Sequence, residues 1–176
     1  MSIIDVQIKK QLEEDRKEVN KFYEKALENI LKKNNDNLKE VKRLEGLAKD
    51  IEKEIDKLKK EKDDIMNNQS NHVNGEIKNR LKNFGLEKDI FDIENRIKKL
   101  EKKLELQNRI NEIEIADLKE KNKNYWKEYD KYYNEHKQID EAMFTQFLGM
   151  QIDLGGIKSS EEIKKQNDDV FANLMK

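Results

Sequence analysis

The chain of 176 residues contains no cysteine and no proline. Without cysteine it can form neither a disulfide nor a thiolate metal site. Without proline, no position is forced to interrupt a helix through a missing backbone N–H or a ring clash. Glycine is also scarce, with six residues. The sequence therefore permits long, uninterrupted helices.

Apolar residues are few: they make up 35% of the chain, whereas charged residues make up 43%. A typical globular domain has roughly 25% charged residues. So little apolar material cannot line a thick core, but it can line a narrow seam between helices. Disordered chains usually combine low hydrophobicity with a high net charge, and here 37 basic residues meet 38 acidic ones. The composition favours a protein of long helices.

Long apolar runs are missing as well. No stretch approaches the ~18 consecutive apolar residues of a membrane span. The opening "MSIIDVQIKKQLEED" has no apolar run of the kind that a signal peptide needs. We therefore expect an intracellular, cytoplasmic protein without a membrane span.

A first long helix is predicted over residues 1–66. Its apolar residues recur at spacings of three and four, which places a narrow stripe on one face and is typical of a coiled coil. The stretch "KKNNDN" at 32–37 interrupts the alternation, and we predict a phase shift or bend there. The stripe consists of Val19, Tyr23, Ala26 and Ile30 before the interruption, and of Val41, Leu44, Ala48, Ile51, Ile55, Leu58 and Ile65 after it.

Residues 67–85 are predicted to form a loop or hinge with a short helix. "NNQSNHVNG" at 67–75 clusters loop-forming residues and ends on Asn-Gly, a turn signal. The following "EIKNRLKNFG" is typical of a short helix that Gly85 caps at its C-terminus.

A second long helix is predicted over residues 86–147. Its stripe changes phase near "QNRIN" at 107–111, where polar residues take positions that the earlier phase assigns to apolar ones. The stripe consists of Leu86, Ile90, Ile93, Ile97, Leu100 and Leu104 before the shift, and of Ile115, Leu118, Asn122, Tyr125, Tyr129, Tyr132, His136, Ile139 and Met143 after it.

Residues 148–176 are predicted to form a glycine-containing linker and a short amphipathic helix, roughly 160–174. Ser159 and Glu162 match a capping box. The apolar face of Ile163, Val170, Phe171 and Leu174 belongs to a helix too short to be stable alone. It must therefore dock on the main body or on a partner.

The fold class is thus all-α: long coiled-coil helices, as a helical hairpin or an oligomeric coiled coil, plus a short C-terminal helix. Residues 1–66 carry 17 basic and 17 acidic side chains, and residues 76–147 carry 16 of each, which permits pairing with each other or with other chains. We expect a homo- or hetero-oligomer with protein partners. Direct nucleic-acid binding is not expected, because it usually requires a basic face.

No residue pattern points to chemistry. The two histidines, His72 and His136, do not form a metal-ligand cluster, and no phosphate-binding loop or nucleophile motif occurs. We predict no enzymatic activity, no catalytic residue, no cofactor and no metal. Asn122 and His136 lie on the stripe, where polar residues can fix register or partner choice.

Aromatic residues concentrate at 124–147, which holds seven of the twelve in the chain. Tyr125, Tyr129 and Tyr132 continue the stripe of the second helix, which favours packing. Trp126, Tyr133 and Phe144 lie beside it and widen the apolar face, so we predict a third element or a partner against it. The candidates for partner contact are Tyr125, Trp126, Tyr129, Tyr133, Phe144, Phe147 and Phe171.

The stretch "FTQFLGMQI" at 144–152, which follows a long coiled coil, resembles the point where small outer-kinetochore coiled-coil subunits pass into their globular heads. The resemblance covers nine residues, and about 25 residues follow it, fewer than such a head needs. It implies a structural subunit and assigns no individual residue.

Three functions are compatible with this sequence. The first is a non-enzymatic coiled-coil structural or assembly protein that acts through helix pairing as a scaffold, tether or complex subunit. The second is a helical-hairpin binding module, an adaptor or chaperone-like clamp, that uses the aromatic end at 125–147. The third is a small coiled-coil subunit of the kinetochore type.

Overall fold

The computed structural model describes residues 3–70, 77–146 and 149–166. Helix α1 spans Ile3–Ser70, and helix α2 spans Ile77–Asp140. A π-helical turn, Glu141–Thr145, follows α2 directly, and the short helix α3 spans Ser160–Gln166. The described ranges contain no strand. The predicted all-α class is confirmed.

The chain forms two compact units. Met1–Lys39 and Asp117–Lys176 make up the first, which we call the aromatic unit, and Glu40–Ala116 makes up the second, the aliphatic unit. Each unit contains a part of α1 packed against a part of α2.

The two helices run antiparallel in each unit, because partner numbers fall along α2 as they rise along α1. In the aromatic unit Arg16 pairs with Asp140 and Asn37 with Asn122. In the aliphatic unit Asn111 bonds to the Leu44 carbonyl, and Glu94 pairs with Lys62. Of the two predicted architectures, the structure has the intramolecular antiparallel pair.

A single layer of branched aliphatic side chains forms the core of the aliphatic unit. Each buried side chain of this size contributes about 1.5–3 kcal/mol relative to an exposed one, while the charged residues between them keep the outer faces in water. The buried members are Ile51, Ile55, Leu58, Ile93 and Ile97, with Ile65, Leu100 and Leu104 packed against them.

The predicted phase shift in α1 at 32–37 is wrong. The buried positions keep one uninterrupted repeat through Leu27, Ile30, Asn34 and Val41, with Asn37 half-buried between the last two. Asn34 and Asn37 occupy two of these seam positions. Because they are polar, the sequence analysis interpreted them as a break in the apolar stripe. Leu27, at 2% exposure, was not predicted, whereas the predicted Val19 and Ala26 are half-buried beside the seam.

The predicted break at Gly85 is also wrong. Helix α2 begins at Ile77 and passes through Gly85, so residues 77–85 belong to α2 and do not form a separate capped helix. A single glycine costs a helix only about 1 kcal/mol, and seam residues from Leu86 onward outweigh that cost. Helix α1 continues to Ser70, beyond the predicted end at residue 66. The remaining predicted loop residues, 71–76, lie outside the described ranges.

Helix α2 changes phase as predicted, but its seam ends differently. Leu118, Tyr125 and Ile139 are half-buried on the shifted phase. The predicted Met143 is 43% exposed, and Phe144 is fully buried instead. The π-helical turn explains the change: the Gln146 N–H bonds to the Glu141 carbonyl five residues back, which adds one residue to the turn.

Two leucines three residues apart test the seam. Leu44 is 2% exposed and Leu47 is 39% exposed. We expect Leu44→Ala to lower the free energy of unfolding by about 2–4 kcal/mol, because it leaves a cavity in the seam. We expect Leu47→Ala to cost less than about 1 kcal/mol. Urea denaturation followed by circular dichroism measures both, and equal losses would contradict the assigned seam.

Candidate functional site

The aromatic unit contains a cluster of large buried side chains. Leu27 and Ile30 of α1 pack against Trp126 and Tyr129 of α2. The two rings meet edge to face, with centroids 5.6 Å apart, a favoured geometry for aromatic pairs. Half-buried side chains surround this cluster: Leu31, Leu38, Tyr125, Tyr132, Tyr133, Ile157 and Ile163.

Residues 149–166 are the third element that the wide aromatic face predicted. Ile157 and Ile163 pack on the cluster, and the Lys164 ammonium lies 5.2 Å from the Trp126 ring centroid. We call residues 149–166 the C-terminal strap. It packs in cis against Trp126 and Tyr129, two of the predicted partner-contact residues.

Polar contacts hold the strap on α2. The Tyr129 hydroxyl donates a 2.5 Å hydrogen bond to the Lys158 carbonyl, and burial raises the pKa of Tyr129 to about 12. The Ser160 hydroxyl donates to the Asp130 carboxylate. The Ser159 hydroxyl accepts the Glu162 N–H at 3.3 Å, so the predicted N-terminal cap of α3 is present.

A buried ion pair joins α1, α2 and the strap. Arg16 Nε donates to Asp140 Oδ1 at 2.7 Å, and Arg16 Nη2 donates to Asp140 Oδ2 at 2.8 Å. Arg16 Nη2 also donates to the Gln151 carbonyl at 2.8 Å, and Asp140 accepts the Asp153 N–H at 3.2 Å. The hydrogen bond to Asp140 raises the pKa of Arg16. We call this arrangement the ion-pair clamp.

His136 lies next to the clamp and is fully buried. Its Nε2 is 2.7 Å from Asn20 Oδ1, and it donates there because that oxygen can only accept. The ring stacks on Tyr23 with centroids 4.8 Å apart. Burial lowers the pKa of His136, although the nearby Asp140 acts in the opposite direction.

Asn20 also lies close to the turn of the strap at Gly155. Gly155 has φ +67°, and a Cβ at that position would lie 3.1 Å from Asn20 Nδ2. Only glycine meets both conditions without strain. Asn20 therefore contacts His136 on one side and the strap on the other.

The predicted site residues are distributed as follows. Trp126, Tyr129 and Phe144 are buried, and Tyr125 and Tyr133 are half-buried. Phe147 and Phe171 lie outside the described residues, as do Val170 and Leu174 of the predicted C-terminal helix.

The register candidates both lie on the seam. Asn122 accepts a 2.9 Å hydrogen bond from Asn37 and lies 3.5 Å from the Asn34 carbonyl, while His136 meets Asn20.

Sequence reasoning missed Arg16, Asn20 and Asp140. A signal was present, because Arg16 lies seven residues before Tyr23 and therefore on its helix face. A charged residue at a seam position of one helix predicts an opposite charge on the other. Asp140 follows His136 by four residues and fits that requirement.

A cavity of about 250 Å³ opens in the aromatic unit between α1 and the strap. Leu31, Tyr129, Ile157 and Ile163 are among the residues that line it. Ligand pockets usually measure about 300–1,000 Å³, so this cavity suits one or two side chains better than a cofactor.

The described residues contain no group of three or more histidine, aspartate or glutamate side chains that could hold a metal ion. Within the same ranges, no helix has an apolar stretch of sufficient length to cross a membrane.

Comparisons with protein-family models, curated proteins and solved structures find no match to this chain. The resemblance of residues 144–152 to kinetochore subunits therefore rests on those nine residues alone.

Two aspartates of α2 test the ion-pair clamp. Asp140 is 1% exposed beside Arg16, whereas Asp117 is 61% exposed and pairs with Lys121 at 3.0 Å. We expect Asp140→Asn to destabilise the protein by about 3–5 kcal/mol, because it leaves a buried guanidinium uncompensated. We expect Asp117→Asn to cost less than about 0.5 kcal/mol. Chemical denaturation compares the two, and a loss below 1 kcal/mol for Asp140→Asn would contradict the clamp.

Burial of His136 makes the folding stability of the protein decrease as the pH falls. Its pKa in the folded chain lies below the ordinary 6.5, so below that pH the unfolded chain binds a proton that the folded chain does not. Stability is fully present above pH 6.5 and falls as the pH decreases, by at most about 1.4 kcal/mol per pH unit.

We expect this loss to shrink in His136→Gln, which keeps a donor for Asn20 and does not titrate. Urea denaturation at several pH values between 5 and 8 measures it. The same slope in both proteins would show that His136 does not cause the effect.

Proposed function

We propose that the chain is a non-enzymatic helical scaffold or complex subunit in which the paired helices α1 and α2 form the supporting structure. Support comes from the distribution of apolar side chains. The seams of both units are closed within the chain, and the aromatic face lies under the C-terminal strap. Large apolar side chains nevertheless remain exposed on outer faces, where other proteins can contact them.

The start of α1 carries the observation on which the proposal rests. Residues 3–11 are all exposed, and no described residue covers them. Large exposed apolar side chains concentrated in one short segment are typical of protein-interaction surfaces. We call the four large ones the α1 patch: Ile3, Ile4, Val6 and Ile8, with exposures of 78%, 66%, 52% and 52%.

The ion-pair clamp also supports a structural role. Both carboxylate oxygens of Asp140 and the Nε and Nη2 groups of Arg16 are engaged within the chain. A catalytic carboxylate or guanidinium needs a free face toward a substrate. The most buried charges among the described residues thus hold segments of the chain together.

Affinity capture from an extract of the source cells, with the purified chain as bait, tests the proposal. The double variant Ile4→Asp, Ile8→Asp should lose a defined set of captured proteins, because charge on a contact patch opposes its burial. The variant Phe91→Asp, which changes another exposed residue of 62% exposure, should keep that set. Circular dichroism should show equal helix content in all three proteins. Identical captured sets for all three would overturn the role of the α1 patch.

The cavity under the strap favours a second candidate, an adaptor or clamp that binds at the aromatic end. Leu31 lines this cavity, so Leu31→Trp should fill it. In the same capture experiment, loss of partners with Leu31→Trp and retention with Ile4→Asp, Ile8→Asp would favour the clamp. The opposite result would favour the scaffold.

A further inference from the structure

A buried titratable side chain lies beside the ion-pair clamp without taking part in it. His136 is 0% exposed, and its Nδ1 atom has no hydrogen-bond partner among the described residues. Because Nε2 donates to Asn20 Oδ1, Nδ1 of the neutral ring is an acceptor without a donor. Protonation would turn Nδ1 into a donor and would place a positive charge in the same buried position.

The charged and titratable groups around His136 come from α1, α2 and the strap. Arg16 and Asp140 act on the ring with opposite signs, and Tyr23 stacks on it with centroids 4.8 Å apart. Asp153 of the strap acts on Arg16, but Asp153 is exposed, so water screens its charge. With a neutral ring the buried charges cancel, whereas a protonated ring leaves one buried positive charge uncompensated, which is costly.

Release of the strap would relieve this charge with a small loss of contacts. The strap holds the ion pair through the Gln151 carbonyl and the Asp153 N–H. Its Gly155 lies against Asn20, which in turn bonds to His136. Detaching this part of the strap would therefore admit water to the buried charges. Separating α1 from α2 would also open the apolar seam, and segments with few buried contacts open at the lowest free energy.

The remaining contacts of the strap are too few to hold it once the ion pair is lost. They include the Tyr129 and Ser160 hydrogen bonds and the packing of Ile157 and Ile163 on the aromatic cluster. Helix α3 has seven residues, and a helix of this length is not stable in water on its own. We therefore expect the strap to open as one segment.

We propose that the strap is a pH-sensitive cover of the aromatic face: protonation of His136 releases the strap, and Trp126 and Tyr129 become accessible while α1 and α2 stay paired. This inference goes beyond the proposed scaffold role, because it concerns a change within the chain and requires no partner. It assigns the buried histidine to the control of access to the aromatic end.

Linkage sets the direction of the change. Burial lowers the pKa of His136 while the strap is closed, so the open form binds the proton more tightly. The closed form is favoured above about pH 6.5, and the open form gains as the pH falls below that value. The ratio of open to closed molecules rises by at most about tenfold for each pH unit.

Hydrogen exchange of backbone amides measures this ratio in the whole chain. The Asp153 N–H bonds to Asp140, and the Ile163 N–H bonds to a carbonyl within the strap, so both exchange when the strap opens. We expect their protection factors, which correct for the pH dependence of the exchange chemistry, to fall about 5–30-fold between pH 7.5 and pH 5. The amides of Ile55 and Ile97 in the aliphatic unit should keep their protection within about twofold.

His136→Gln keeps a donor for Asn20 but does not titrate, so it separates the histidine from every other acidic effect. In this variant the strap amides should keep their protection within about twofold over the same pH range. An equal fall in His136→Gln and in the parent chain would overturn the proposal. An equal fall at Ile55 and Ile97 would overturn it too, because that result would indicate loss of the helix pair.

A change in the strap should in turn alter His136, since linkage is reciprocal. Gly155→Ala places a Cβ 3.1 Å from Asn20 Nδ2 at a φ of +67°, which favours the open strap. The pKa of His136, followed by NMR of its ring protons, should rise toward 6.5. Acrylamide should quench the fluorescence of Trp126, the single tryptophan of the chain, more strongly than in the parent chain.

Gly85→Ala is the matched control, because a Cβ at Gly85 meets no atom within 4 Å. It should leave both the pKa of His136 and the quenching of Trp126 unchanged, and circular dichroism should show equal helix content in both variants. An unchanged pKa or unchanged quenching in Gly155→Ala would overturn the proposal, as would the same changes in Gly85→Ala.

This inference and the scaffold role fail separately. The strap is measured in the purified chain, whereas the scaffold role is measured by capture from extracts with variants of the α1 patch. A strap that stays closed at pH 5, in a chain that still captures partners through the α1 patch, would refute only the pH-sensitive cover.

Discussion

The buried pairing of Arg16 with Asp140 is the constraint on which the aromatic unit depends. Two charges that leave water are tolerated only when hydrogen bonds and opposite charge compensate them fully. Here the compensation comes from α1, from the end of α2 and from the backbone at Gln151 and Asp153. The ion pair therefore fixes the position of the strap as well as the pairing of the helices, and the strap in turn covers Trp126 and Tyr129.

Polar residues also define the rest of the seam. Asn37 with Asn122, and Asn111 with the Leu44 carbonyl, bond only when the two helices are in the observed register. An aliphatic contact at these positions would tolerate a shift along the helix, whereas an amide left without its partner costs about 1–3 kcal/mol. The low apolar content thus gives a thin core, and we propose that the amides supply the specificity that such a core lacks.

The sequence was most informative about the fold where apolar residues define the periodic pattern. The aliphatic seam and the phase of α2 after residue 111 follow from the spacing of isoleucine, leucine and tyrosine. It failed where polar residues occupy seam positions, as with Asn34 in α1, because a polar residue at such a site looks like an interruption. The pairing of Arg16 with Asp140 needed the long-range register, and the burial of Phe144 needed the π-helical turn, neither of which local spacing contains. The prediction of a helix end at Gly85 was wrong because tertiary packing outweighs the weak preference of glycine against a helix.

The antiparallel pairing has a consequence for the order of folding. Lys62 and Glu94 form an ion pair and are separated by a short stretch of sequence. Arg16 and Asp140 are 124 residues apart in sequence. Closing a longer loop costs more entropy, so the helices should associate first near Lys62 and extend toward the aromatic unit. We therefore expect the ion pair to form after the rate-limiting step. A late contact scarcely changes how fast a protein folds, but it slows unfolding, so the clamp lengthens the lifetime of the folded chain.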